Sequence, residues 1–254
     1  MIDTVYGEGT GFTATYRVKV KEGALNGKVY VAIERPNLMK LCVNGNNAPW
    51  TGEGHYLDYK MGRIDVTDYI KEGENDFVVW ADTFNVRDEL EMLILEGDFG
   101  VEIENDKFVI CKKPEKLNLG SWLDQKVRFY PNAVNYTFKC KLDKKPESAK
   151  LVMNKYEASA VSVTVNGNYA GIVGRDGDDY AEIADWLVEG ENTVTLRLCA
   201  SFRNLFGPFI NYMDQTVATW SDFSNAEPNR PTKASEYSMI DYGMFEAPTL
   251  LINE

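Results

Sequence analysis

The chain contains one pattern twice. Val43-Asn44-Gly45 returns as Val165-Asn166-Gly167, an offset of 122 residues (43 to 165), and Glu72-Gly73-Glu74-Asn75 returns as Glu189-Gly190-Glu191-Asn192, an offset of 117 (72 to 189). Just upstream of the second motif, Asp68-Tyr69-Ile70 is matched by Asp185-Trp186-Leu187. In each copy an alternating run precedes Asn-Gly and another follows Glu-Gly-Glu-Asn. Solenoid repeats are far shorter, with periods of roughly 20–50 residues. The pattern therefore predicts two copies of one domain, and in a chain of 254 residues each copy is long enough to bury its own core.

Period-two alternation dominates and helical periodicity is nearly absent, which predicts an all-β chain. Strands are expected over 13–20, 28–33, 39–43, 63–66, 76–81 and 90–95. In the second copy they are expected over 134–142, 149–154, 160–165, 169–173, 179–187 and 193–199. Asn44-Gly45 and Asn166-Gly167 are hairpin turns, because both residue types tolerate positive φ. Glu-Gly-Glu-Asn is read as a second turn, and Asp68 and Asp185 as short-turn or cap residues. Short strands at even spacing argue for antiparallel sandwiches of jelly-roll type. Val101–Ile103 and Phe108–Ile110 form a trailing hairpin, and the polar stretch Lys112-Lys113-Pro114-Glu115-Lys116 is the linker. The expected domains are 1–113 and 114–254. Phe202–Tyr242 has no strand pattern and is long for a bare connection, so it is either functional or packed across one end of a sandwich.

A net charge of −12 repels nucleic acid and anionic membrane, and no basic stripe offsets it. No apolar run approaches membrane-spanning length. Met1-Ile2-Asp3-Thr4-Val5-Tyr6 lacks the basic and apolar regions of a signal peptide. The chain reads as a piece of something longer, with an extracellular or cell-associated parent expected. The four cysteines, Cys42, Cys111, Cys140 and Cys199, include no C-x-x-C pair, and His55 is the single histidine, which argues against zinc. Four buried free thiols are expected, with an inter-strand disulfide as the alternative.

The unit V-N-G, D-Y-I-K-E-G-E-N, strand resembles the galactose-binding-like β-sandwich of large bacterial glycoside hydrolases related to β-galactosidases and rhamnosidases. Three further stretches resemble parts of the terminal sandwiches of such enzymes. Leu95–Val101, Leu119–Trp122 and Phe129–Tyr136 resemble the join between them, Ser201–Pro208 resembles a loop after a final strand, and Asp241–Phe245 resembles the closing strand. The resemblance implies two tandem galactose-binding-like jelly rolls that serve a catalytic domain lying outside this chain. It also implies a glycan as partner. Where the family often carries histidines after that Gly-Pro, this chain has Phe209-Ile210, so whatever role they play is not carried over.

Several residues stand out as site candidates. Trp50 and Tyr56 lie in a Gly-rich loop outside any alternating run, and exposed rings stack on sugar faces. The simpler reading makes Trp50 a plug on the sandwich edge. Arg203, Asn204, Phe206 and Trp220 fall in the patternless stretch, either as a cleft or docking face or as a satellite hydrophobic cluster. The acidic turn with Asp176, Asp178 and Asp179 offers oxygen ligands of the kind calcium takes, or is a solvated hairpin tip. No other cofactor is indicated. Glycosidic hydrolysis needs a spaced carboxylate pair, and among 39 acidic residues no pair is privileged. The expected function is a non-catalytic, carbohydrate-binding accessory region of a glycoside hydrolase. The alternatives are a purely structural scaffold and a stand-alone hydrolase with an unrecognised acidic pair.

Overall fold

The computed structural model describes residues 6–90, 92–174, 177–207 and 233–253. It divides into two compact units, Met1–Pro114 and Glu115–Glu254. The chain is all-β, and each unit packs sheets face to face around one apolar core.

The first unit contains β1 (Phe12–Val20), β2 (Val29–Glu34), β3 (Lys40–Val43), β4 (Asn46–Asn47), β5 (His55–Tyr56), β6 (Asp58–Asp65), β7 (Gly73–Ala81), β8 (Ile94–Gly97), β9 (Gly100–Glu104) and β10 (Lys107–Cys111). One sheet runs β4-β3-β7-β1-β10-β9 and the other β5-β6-β2-β8. All pairs are antiparallel except β1 with β10. Successive side chains on a strand point to opposite faces, so the alternation in β7 buries Asn75, Phe77, Val79 and Ala81 and turns Val78 and Trp80 outward. Phe77, fully buried, meets Val31 and Ile64 of the facing sheet in one cluster. Truncating such a ring to Ala costs roughly 3–5 kcal/mol.

The second unit contains β11 (Gly120–Ser121), β12 (Ala133–Leu142), β13 (Ser148–Val152), β14 (Tyr156–Glu157), β15 (Ala160–Val165), β16 (Asn168–Val173), β17 (Tyr180–Glu182), β18 (Gly190–Cys199), α1 (Arg203–Phe206), β19 (Gly243–Met244) and β20 (Thr249–Asn253). Its sheets run β12-β18-β15-β16, β17-β13-β20 and β11-β19-β14. Trp122 is 2% exposed, and its indole N–H donates to the Tyr136 hydroxyl at 2.8 Å, within the core cluster that also holds Met244.

The ladders of the two units keep the offsets of the sequence motifs. Lys40 faces Trp80 and Val43 faces Phe77, as Ser162 faces Arg197 and Val165 faces Val194. The motif asparagines explain why. Asn44 Nδ2 donates to Tyr69 O and Asn75 Oδ1, both at 2.8 Å, and its Oδ1 accepts from Asp76 N at 3.1 Å. Asn166 makes the same three bonds, to Trp186 O at 2.9 Å, Asn192 Oδ1 at 2.8 Å and Thr193 N at 2.9 Å. Asn75 and Asn192, each 1% exposed, bond the backbone of residues 71 and 73, and of 188 and 190. A buried amide is tolerated only when its donors and acceptors are used, and these are.

Several expectations are corrected. Glu-Gly-Glu-Asn is not a turn: Gly73 (φ +89°) and Gly190 (φ +92°) open β7 and β18, and the asparagine already stands in the ladder. Asp68 and Asp185 do lie in short turns, 67–69 and the 3-10 helix Ala184–Trp186, as expected, but neither side chain caps its turn. In the first unit the turn is held instead by Asp65, which accepts from Thr67 N at 3.0 Å, and the short 3-10 helix Ala184–Trp186 has no side-chain cap. The strand expected from Leu90 begins at Ile94, and Leu90 is exposed. All four cysteines are free, but only Cys111 is buried, because Cys42, Cys140 and Cys199 fall on half-covered positions.

One packing pair exchanges strands between the units. The Arg63 guanidinium lies 3.6 Å from the Tyr30 ring centre, and Lys150 Nζ lies 4.0 Å from that of Tyr180. Tyr30 faces Asp65 across its ladder as Lys150 faces Glu182. Ring and cation have therefore traded places while the stacked contact persists.

Candidate ligand cleft

The cleft of the first unit opens beside β3 and β4 and encloses about 570 Å³. Its position follows from the strand pattern. On β3, Leu41 points into the core and Lys40 outward, directly across from Trp80 on the outer face of β7. Ala48 N donates to Leu41 O at 2.9 Å and ties the 48–52 loop to the strand, which brings Trp50 over the opening. Met39, Leu41 and Ile64 form an apolar floor, Trp50 and Trp80 are half-buried walls, and Asn37, Lys40, Asn47 and Thr51 stand exposed on the rim. Lys40 Nζ lies 5.9 Å from the Trp80 ring centre and 2.5 Å from Asp82 Oδ2.

Gly62 sets the seat of Trp50. A Cβ there would stand 2.3 Å from Pro36 Cγ and 2.9 Å from Trp50 Nε1, so only glycine lets the indole settle. The Trp50 Nε1 is buried and has no partner among the described residues. The His55 ring meets the indole edge-on at 6.0 Å.

Tyr56 does not line the cleft. It lies half-buried in β5, where burial, and then the Glu96 charge, push its hydroxyl above the ordinary value. Glu96 accepts from Arg63 Nε at 3.0 Å.

In the second unit the candidates on α1, Arg203, Asn204 and Phe206, are taken up by backbone partners and ring packing. The Asn204 amide, 3% exposed, donates to Arg128 O at 3.2 Å and Ile240 O at 2.9 Å and accepts from Ile240 N at 2.7 Å. Arg203 bonds the carbonyls of Gly207 and Ser238. Phe206 is half-buried against Phe202, ring centres 5.8 Å apart. These bonds clip segment 238–240 to α1. Trp220 lies outside the described residues.

A smaller polar pocket of about 360 Å³ in this unit is lined by Asn154, Lys155, Tyr156, Glu157, Ala158 and Asp179. The Tyr156 hydroxyl donates to Asp179 Oδ1 at 3.2 Å, and burial, followed by Asp179 and then Glu157, pushes it above its ordinary value. Asp176 lies outside the described residues. Among those described, no three His, Cys, Asp or Glu side chains gather as a metal would need.

The two pockets occupy matching ends of their sandwiches. Ile33 faces Gly62 in the β2–β6 ladder, and Met153 N donates to Asp179 O at the corresponding place. Where the first unit has Gly62 beneath Trp50, the second has a carboxylate. Where it has Trp80, the second has Arg197. Trp80 escaped sequence reasoning because it sits inside a regular strand run. Its signal was an outward strand position opposite a lysine.

Neither a family model nor a curated protein matches the chain. Among solved structures it is similar to a rhamnosidase from Novosphingobium sp. PP1Y, with 15% identity, 93% of this chain and 24% of that one covered, and a TM-score of 0.36. It is also similar to a Streptomyces avermitilis α-L-rhamnosidase complexed with L-rhamnose, with 11% identity, 77% and 22% covered, and a TM-score of 0.31. A third is a Bacteroides fragilis putative β-galactosidase, with 14% identity, 76% and 28% covered, and a TM-score of 0.27. The chain thus spans between 22% and 28% of the length of these glycoside hydrolases. Likeness at this level assigns neither activity nor ligand.

Proposed function

We propose that this chain is a non-catalytic accessory region of a carbohydrate-active enzyme, and that the cleft of its first unit binds a neutral glycan. One observation carries the reading: two indoles wall a cleft whose rim holds the exposed amides of Asn37 and Asn47. Indole faces take the C–H faces of a pyranose, and amides read its hydroxyls. The net charge of −12 favours neutral over acidic polysaccharide. Partners are the glycan and the catalytic domain of a parent enzyme.

A second reading is favoured by the seat of Trp50. Its close packing over Gly62 suits a plug, and both units would then only brace the parent.

Retention on insoluble polysaccharides and a glycan array, with Trp50→Ala and Trp80→Ala alongside, separates the two. Loss of a stacking ring worth about 1.5 kcal/mol weakens binding by more than roughly tenfold. Binding that survives both substitutions refutes the cleft, and no binding by the unaltered chain leaves the scaffold.

A further inference from the structure

We propose that Asn26 is a site of spontaneous deamidation, and that the fold protects the other two Asn-Gly pairs from the same reaction. The chain has three such pairs, Asn26-Gly27, Asn44-Gly45 and Asn166-Gly167, which share the local chemistry. In this reaction the backbone nitrogen of the glycine loses its proton and attacks the asparagine Cγ. A C–N bond forms, the Cγ–Nδ2 bond breaks, and ammonia leaves a succinimide. Water then opens the ring to aspartate or isoaspartate, with no oxidation or reduction. Two things govern the rate: the freedom of the carboxamide to swing onto the next nitrogen, and the freedom of that nitrogen.

The three sites differ in the first and are alike in the second, since the amides of Gly27, Gly45 and Gly167 all lack an acceptor among the described residues and each glycine has open space around it. Asn26 is exposed in the loop before β2, and its side chain makes one bond, Nδ2 to Asp98 Oδ2 at 3.2 Å. Gly27 has φ +77°, nothing within 4 Å of where a Cβ would stand, and an amide with no acceptor among the described residues. Asn44 and Asn166 are instead held by three bonds apiece, so that the carboxamide must break all three before it can reach the glycine nitrogen. Conversion at Asn26 places a new carboxylate beside Asp98, which already pairs with Lys113 next to the boundary between the units.

The test is peptide mapping by mass spectrometry of the full chain held in mildly alkaline buffer, native and in denaturant, with isoaspartate detected by enzymatic methylation. Natively, Asn26 converts while Asn44 and Asn166 lag by roughly thirtyfold, the suppression expected of the two hydrogen bonds that each makes beyond the one at Asn26. In denaturant the three rates converge. Asn26→Gln removes the fast native component and leaves the other two unchanged. Equal native rates at all three sites, or an Asn26 that stays an amide while denatured chain converts, overturn the proposal.

Discussion

Replacing Asn192 by Ala is the sharpest test of how the second sandwich is held. The side chain is 1% exposed and makes four bonds: Nδ2 to Val188 O at 2.8 Å and Gly190 O at 3.1 Å, and Oδ1 from Val188 N at 2.9 Å and Asn166 Nδ2 at 2.8 Å. Each is worth about 1 kcal/mol net, and a buried group left unpaired costs about 1–3 kcal/mol. Water entering the vacated space recovers part of this, so the expected loss is about 3–4 kcal/mol, a large share of a typical stability of 5–15 kcal/mol. Asn75→Ala should cost the first unit the same within about 1 kcal/mol, because its four bonds, at 2.7, 3.1, 2.9 and 2.8 Å, match to 0.1 Å. Urea unfolding measures the loss. Hydrogen exchange at the Asp76 and Thr193 amides, which donate to Asn44 and Asn166, assigns it to a unit. A cost below about 1 kcal/mol in either variant would refute the view that these amides hold the two hairpins to their sheets.

Three further outcomes follow from local geometry. Lys28, then Thr67, hold the Asp65 carboxyl down from its ordinary 3.8 to about 2. Its stabilisation is therefore complete above pH 3.8 and is lost as pH falls through about 2. The full linkage would be about 2.4 kcal/mol, but with Asp65 42% and Lys28 64% exposed, screening leaves about 1 kcal/mol. Asp65→Asn should flatten the acid limb of stability against pH, and an unchanged limb would contradict this. Gly62→Ala forces a Cβ against Pro36 and Trp50 and should cost about 1–3 kcal/mol with a shift in tryptophan fluorescence; a neutral effect would mean the indole is loosely seated. Tyr136→Phe strips the buried Trp122 N–H of its acceptor and should lower stability by about 1–3 kcal/mol in thermal unfolding, whereas an unchanged midpoint would show that the bond contributes nothing.

Much of the architecture was legible in the chain because its cause is local. Alternation marks a pleated strand with one buried face, and Asn-Gly marks a turn with two positive φ angles, here 51° and 85° in one unit and 50° and 83° in the other. The site was less legible. Trp50 was visible as a ring outside any strand. Its partner Trp80 was hidden inside a strand, and Arg203 and Asn204, which looked available, are spent on backbone partners.

By itself the sequence determined that the chain is all-β, where most strands lie, and that one pattern occurs twice, because pleat and turn depend on neighbours in the chain. Tertiary structure alone decided what the asparagines and tryptophans do. Asn44 meets Asn75 across 31 residues, and Trp50 finds its seat over Gly62 only once β6 lies beneath the loop. The same reason separates the matching ends of the two sandwiches. One carries glycine under an indole and the other a carboxylate beside a phenol, and only the fold brings those residues to corresponding places.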